Sequence, residues 1–288
     1  MYPKSFQYSA PSTLQEALQI LKENPEARPV AGGQSIMPML KLRILDPGFL
    51  IDLMHLKELK NITEGHENEL HIGAMVTHNR IINEGLIREY VPMLALTAEH
   101  IGDVQIRNRG TIGGSICEAD PSADYLPTLL VLDAKVALQS LDGERIVPVS
   151  EFITGPFSTD IQEGEILREV IVQKNRMSFS VEKYARRRAD FAVASAAVIC
   201  DVDSSGRIRQ IKVAVGAQSN GPMRLDRLEK ALTGKNRDSV DINEIVESVR
   251  GDLDPLSDLH GSSEYRRDVT VNMLKRIITN LVYRGGEQ

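Results

Sequence analysis

Two short turns constrain this chain more than anything else in it. Ala31-Gly32-Gly33-Gln34-Ser35 and Thr111-Ile112-Gly113-Gly114-Ser115 each join paired glycines to hydroxyl side chains, and they lie far apart along the sequence. Glycine lacks a Cβ, so backbone at such a turn enters the left-handed region easily and approaches a ligand closely. Successive backbone N–H groups there form a concavity suited to an anion. Thr111 and Ser115 add hydroxyls at the two ends of the second turn, and Arg107 and Arg109 just upstream raise the local positive potential. Asp124, nine residues beyond Ser115, suits a sugar or polyol hydroxyl. A single turn of this kind reads equally well as a glycine-rich surface loop, because short glycine patterns are weak signals. Two in one chain point to one extended ligand with two phosphates. That reading requires Gly33 and Gly114 on the same side of the molecule.

The chain has 288 residues, enough for one large or two ordinary domains, and its 42% hydrophobic and 26% charged content is that of a soluble globular protein. No run approaches 18 uncharged apolar residues, so no membrane span is expected. The start, Met1-Tyr2-Pro3-Lys4-Ser5-Phe6, has no signal-peptide core, which suggests a cytoplasmic protein. A net charge of −6 argues against a general nucleic-acid binder, and without Trp there is no base-stacking platform. Cys117 and Cys200 form no CxxC pair and cannot supply the four ligands of an iron–sulfur cluster or structural zinc. They are expected as reduced, buried thiols, although Cys117 follows the second turn closely enough to leave a thiol near a ligand open. His78 and His100 have no nearby partners to complete a metal site and are expected as solvated or capping residues.

Residues 12–24 read as a helix, with Leu14, Ala17, Leu18 and Leu21 on one stripe and a capping box from Ser12/Gln15 or Thr13/Glu16. A strand at 28–30 runs into the first glycine turn, the apolar segment 36–42 follows, and 49–53 is another strand, giving a small βαβ-like unit. Strand 69–75, a helix capped by Thr77, a helix at 91–100 and an apolar helix at 125–132 come next. The segments 134–141 and 145–149 flank Asp142-Gly143 as a hairpin, and 165–172 is a strand. The polar stretch 174–178 marks a boundary. Beyond it lie three strands, 179–185, 193–202 and 208–217, and then helices at 224–232, 240–249 and 264–283, the last stopped by Gly285-Gly286. The expected division is therefore 1–175, with subdomains at about 1–55 and 56–175, and 176–288.

The basic run Lys183-Tyr184-Ala185-Arg186-Arg187-Arg188 precedes Asp190-Phe191 just past that boundary. Alone it reads as a solvated strand end. Its position suggests an interdomain cleft, where Lys183 meets an anionic ligand and Phe191 covers a flat ring.

These residues resemble the FAD-binding medium subunit of molybdenum hydroxylases, a family that includes carbon monoxide dehydrogenase, quinoline oxidoreductase and the flavin domain of xanthine dehydrogenase. The resemblance rests on AGGQS at 31–35, TIGGS at 111–115 and DPSAD at 120–124. It extends to the Gln105–Asn108 approach, the Glu182–Arg187 strand and the closing His260-Gly261-Ser262 with Tyr265-Arg266. It implies an α+β fold: a two-part FAD-binding domain of the vanillyl-alcohol-oxidase (PCMH) type, then a C-terminal domain of three antiparallel strands plus a helical bundle. It also implies roles. Ala31 to Ser35 and Thr111 to Ser115 hold the pyrophosphate and neighbouring sugar groups, Ile101 lines the flavin pocket and Asp124 accepts from a cofactor hydroxyl. Leu167 contributes at the ring through backbone, Lys183 reaches the flavin's polar edge, and Phe191 packs on a ring face. Ser115, where many relatives have Asn, and Phe191, which varies among relatives, depart from the pattern. The insertion that carries an extra cluster in 4-hydroxybenzoyl-CoA reductase is not evident, and two cysteines exclude that cluster.

By the same resemblance, a large molybdenum-pterin subunit oxidises the substrate. Two 2Fe–2S clusters on a small subunit then pass electrons to FAD, which delivers them to an external acceptor. A dimer of heterotrimers is the implied assembly. Lys183→Met is expected to lower the flavin potential. Two alternatives stand beside this reading: a stand-alone FAD-dependent oxidase or dehydrogenase of the same superfamily, and a flavin-free assembly scaffold.

Overall fold

The computed structural model describes residues 2–284, so the Gly285-Gly286 helix stop lies outside the described residues. The chain opens with a parallel sheet of β1 (Gln7–Ser9), β2 (Arg28–Val30) and β3 (Phe49–Asp52), ordered β1-β3-β2. Helix α1 (Leu14–Glu23) links β1 to β2, and α2 (Ile36–Leu42) links β2 to β3. The stripe Leu14, Ala17, Leu18 and Leu21 is buried against this sheet's core. Thr13, not Ser12, caps α1 by accepting the Glu16 N–H at 3.2 Å, while the Glu16 carboxylate accepts the Ser12 N–H at 2.9 Å. The return half of the box therefore reaches one residue further back than the usual pattern.

An antiparallel sheet follows, ordered β4-β5-β10-β6-β7. Its strands are β4 (Ile62–Glu64), β5 (Glu69–Gly73), β6 (Lys135–Gln139), β7 (Glu144–Pro148) and β10 (Ile166–Gln173); β8 (Ile153–Gly155) and β9 (Ser158–Thr159) form a separate hairpin. Between β5 and β6 run six helices: α3 (His78–Asn83), α4 (Gly85–Tyr90), α5 (Pro92–Glu99), α6 (Val104–Arg109), α7 (Ile112–Glu118) and α8 (Tyr125–Val131). Short α9 (Val149–Phe152) follows β7.

The third sheet is β11 (Ser178–Tyr184), β12 (Ala194–Val202), β13 (Ile208–Gly216) and a short β14 (Met223–Arg224), antiparallel in that order. Helices α10 (Asp226–Leu232), α11 (Ile242–Ser248) and α12 (Ser263–Arg284) complete the chain. Alternation along a strand puts successive side chains on opposite faces. Phe179, Ala197, Ile199 and Ala214 accordingly join the core shared with α5 and α8, while Ala196, Val198, Cys200, Val213 and Val215 join the core under α10–α12. Burial on both faces makes β12 a nearly continuous apolar run rather than an alternating one. The polar stretch after β10 is the short link into β11, and Lys174 in it bonds Glu89 at 2.7 Å.

Candidate cofactor site

The first glycine turn leaves β2 and enters α2. Gly33 sits at φ 75°, the left-handed region that favours glycine. Gly32 is held differently, by proximity: a Cβ there would stand 2.1 Å from the Arg109 carbonyl oxygen and 2.7 Å from the Gly110 Cα. A Cβ on Gly114 would stand 3.2 Å from the Ala31 Cβ. The two glycine stretches therefore touch, and Gly33 and Gly114 lie on the same side of the molecule.

Their roles are not equivalent. The second stretch is the start of a helix rather than an open loop. Thr111 caps α7 and accepts the Gly114 N–H at 3.1 Å. The N–H groups of Ile112, Gly113 and Ser115 bond the carbonyls of Val76, Ala74 and Thr111. This corrects the expectation of an amide concavity there: those donors already have protein acceptors. Gly113 is glycine because its backbone packs on Ala74, where a Cβ would come within 2.5 Å of the Ala74 Cβ. The first stretch is the open one. The amides of Gly33, Gln34 and Ser35 donate to no acceptor among the described residues, and the Ser35 hydroxyl does not cap α2. Gln34 donates its side-chain amide to the Gly32 carbonyl at 3.0 Å, which braces the turn.

A cleft of about 480 Å³ opens beside these amides, lined among others by Tyr8, Val30, Met37, Asp52 and Arg109. Arg109 and Lys41 are the cations that line it. Arg107, expected to add to the same potential, instead donates to the carbonyls of Ile101 and Gly102 at 3.0 and 2.8 Å and pins the turn before α6.

Of the remaining candidates, Lys183 and Asp124 meet beside Ile101 at the boundary of the third sheet, whereas Leu167 and Phe191 are placed apart from them. Lys183 on β11 donates to Asp124 at 3.0 Å and to the His100 carbonyl at 3.0 Å, beside Ile101. Both partners are nearly buried, with side chains 7% and 9% exposed. Burial pushes the Asp124 carboxyl up to about 6, against the lowering effect of Lys183. Helix α7, about 10 Å long at 1.5 Å per residue, connects this seam to the glycine turns. Leu167 is buried in the core of the second sheet, at a bulge between Leu167 and Glu169, so only its backbone is available to a ligand. Phe191 is 65% exposed between β11 and β12.

Two further expectations are corrected. Cys117 is exposed rather than buried; Cys200 is buried, and burial pushes its thiol up to about 12. His78 is neither solvated nor merely terminal. It is 4% exposed, its Nδ1 is 3.1 Å from the Tyr125 hydroxyl, and its ring fills the space that a Cβ on Gly110 would need. Burial lowers it to about 4, so the ring is neutral at physiological pH. The Asn-Arg-Gly approach to Thr111 was a signal that Gly110 matters; nothing local in the sequence reveals its pairing with His78.

The geometry is matched by a family. Residues 4–174 match the model of the FAD binding domain in molybdopterin dehydrogenase, and residues 179–281 match the CO dehydrogenase flavoprotein C-terminal domain. The chain belongs to the FAD-binding medium subunits of the molybdenum hydroxylases. Among similar proteins, the glyceraldehyde dehydrogenase medium chain of Sulfolobus acidocaldarius is 38% identical over 93% of this chain and 95% of its own. The carbon monoxide dehydrogenase medium chain of Hydrogenophaga pseudoflava is 31% identical over 96% of this chain and 97% of its own. The structure of quinoline 2-oxidoreductase from Pseudomonas putida 86 superposes with a TM-score of 0.94 at 32% identity, covering all of both chains. As a member of this family, the chain binds FAD, and its residues fit that group: open amides at one turn, no Cβ where the two turns meet, and a cleft with one facing arginine. No described helix is long and apolar enough to cross a membrane.

Proposed function

We propose that this chain holds FAD between the first glycine turn and the Lys183–Asp124 seam, and passes electrons from the 2Fe–2S clusters of a small partner subunit to an external acceptor. A large molybdopterin subunit oxidises the substrate, and the assembly is a dimer of heterotrimers. The amides of Gly33, Gln34 and Ser35 bind the diphosphate, with Ala31 and Gly32 shaping its bed. Thr111, Gly113 and Gly114 form the opposing wall, and Ser115 faces a sugar. The seam supports the flavin end, with Ile101 and the Leu167 backbone beside it and Phe191 over a ring face. When bound, FAD supplies two-electron chemistry and the means to exchange single electrons. This chain binds and orients it, shields it from water and sets the charge beside it; substrate hydroxylation asks no catalytic base of these residues. The division into residues 1–175 and 176–288 follows the polar link after β10. Free Cys117 and Cys200 suit a reducing cytoplasm.

The observation that carries this reading is the contact of Gly32 with Arg109 and Gly110, which brings two distant glycine stretches onto one site. Native co-purification tests it. The expected result is a yellow complex containing a large and a small subunit, with molybdenum and iron in the metal analysis. A yellow chain that purifies alone and oxidises a substrate itself is the stand-alone oxidase; a colourless chain ends the flavin reading.

A further inference from the structure

The Lys183–Asp124 pair closes the boundary between the two halves of the chain. Lys183 comes from β11 of the third sheet, whereas Asp124 precedes α8. Lys183, Ser195 and Gly216 lie directly opposite one another across β11, β12 and β13 and so share one sheet face. That face also carries Val181, Ala197 and Ala214, which pack into the first half's core. Gly216 has no room for a Cβ: one would stand 2.4 Å from the Ser195 Oγ. The Ser195 Oγ is buried without a hydrogen-bond partner among the described residues, so the seam keeps a polar group in reserve one strand from Lys183.

The charges facing Asp124 are few. Lys183 approaches from β11, Asp120 from the preceding turn, and Tyr125, itself bonded to His78 on α3, stands on the adjoining helix. In this nearly dry seam the Lys183 ammonium bonds the Asp124 carboxylate directly, while Asp120 acts on Asp124 only through space. A negative charge arriving beside Lys183 would compete with Asp124 for the same ammonium. The two anions cannot both be balanced by one cation at low dielectric.

We propose that Asp124 is the redox-linked proton acceptor of this subunit: when the bound cofactor takes up two electrons and one proton, Asp124 takes a second proton and releases Lys183 to balance the charge left at the cofactor's polar edge. The electrons come from the partner's clusters or, in the test, from dithionite, and both protons come from water. The carboxylate becomes a carboxylic acid, and no other bond in the chain changes. Asp124 is already close to that threshold, since burial holds its carboxyl near 6 even with Lys183 in place. This inference rests on the proposed placement of Lys183 at the cofactor.

Potentiometric titration of the FAD-loaded protein between pH 6.5 and 8 tests it. The wild type is expected to take up two protons per two electrons, and Asp124→Asn one. A wild type that takes up one, or an Asp124→Asn protein that still takes up two, overturns the inference. Lys183→Met separates the two levels of the reading. If it shifts the potential while Asp124→Asn leaves the proton count unchanged, only the proton role falls. If it leaves the potential unchanged, the placement of the seam at the cofactor falls as well. Should Asp124→Asn fail to fold, infrared difference spectra of the unmutated holoprotein decide the matter. A protonated-carboxyl band that appears on reduction supports the proposal, and its absence overturns it.

Discussion

Gly32→Ala is the sharpest test of the site. The added methyl carbon would stand 2.1 Å from the Arg109 oxygen, whereas ordinary contact begins at 3.4 Å, so the two glycine stretches must part by 1.3 Å, the difference of those distances. Neither side yields easily. The obstacle is backbone, and the next residue is tied down because its carbonyl accepts the His78 N–H at 3.1 Å. Overpacking of this kind costs about 1–3 kcal/mol, and two backbone walls place it at the upper end. If the turns separate, the cost appears in cofactor binding, where about 3 kcal/mol is roughly a hundredfold in Kd. If they stay together, it appears as strain, lowering Tm by roughly 6–12 °C. Fluorescence titration of the apoprotein with FAD, together with thermal unfolding, measures both. Gly48→Ala is the control, because nothing lies within 4 Å of a Cβ there. A Gly32→Ala protein with the Kd and Tm of the Gly48→Ala protein would refute the contact, and the convergence of the two turns with it.

Lys183→Met should destabilise the apoprotein by about 3–5 kcal/mol, because it leaves the buried Asp124 without its cation; adding Asp124→Asn should recover most of that in urea unfolding, and a double variant no more stable than the single one would show the pair to be uncoupled. Phe191→Ala should leave Tm within about 2 °C, since the ring is 65% exposed, so an altered absorbance envelope of the bound flavin would report ring contact and an unaltered one would remove it. Between about pH 4 and 6 the contributions of two buried groups to stability should oppose each other. His78, lowered from 6.5 to about 4, is protonated in the unfolded chain first, so its contribution rises with pH through that window. Asp124, raised from 3.8 to about 6, keeps its proton in the folded chain longer, so its contribution falls with pH there, each by about 3 kcal/mol. Relative to the unmutated protein, the urea midpoint of Asp124→Asn should therefore rise with pH and that of His78→Gln fall; two curves parallel to the unmutated one would mean that neither group is perturbed.

What the sequence made legible, and what it did not, divides along physical lines. Elements whose burial is one-sided and local were readable: the α1 stripe, the strand at 28–30 and the Asp142-Gly143 hairpin follow from spacing and turn chemistry alone. β1 was not, because Gln7-Tyr8-Ser9 is short and polar and is fixed only by pairing with Phe49-Leu50-Ile51. The helices α6 and α7 were missed for a related reason. The glycine that follows α6 and the two inside α7, which argue against helix by intrinsic preference, are demanded by His78, Ala74 and Ala31 pressing on the backbone from elsewhere in the chain. The same distinction separates the two glycine turns. Both motifs read as anion cradles, yet only the first has amides to offer, and the second spends its donors on Val76, Ala74 and its own cap. Hydrogen-bond partners distant in sequence decide which glycine turn keeps open amides and which one spends them within the protein. The seam obeys this rule too: Lys183 and Asp124 each looked like a ligand contact, and only the fold reveals that each is first the other's counter-ion. With the cofactor's polar edge at this pair, as proposed, any charge it brings would be balanced through a pair that already exists, and the proton count on reduction, more than the potential itself, is the quantity that would report it.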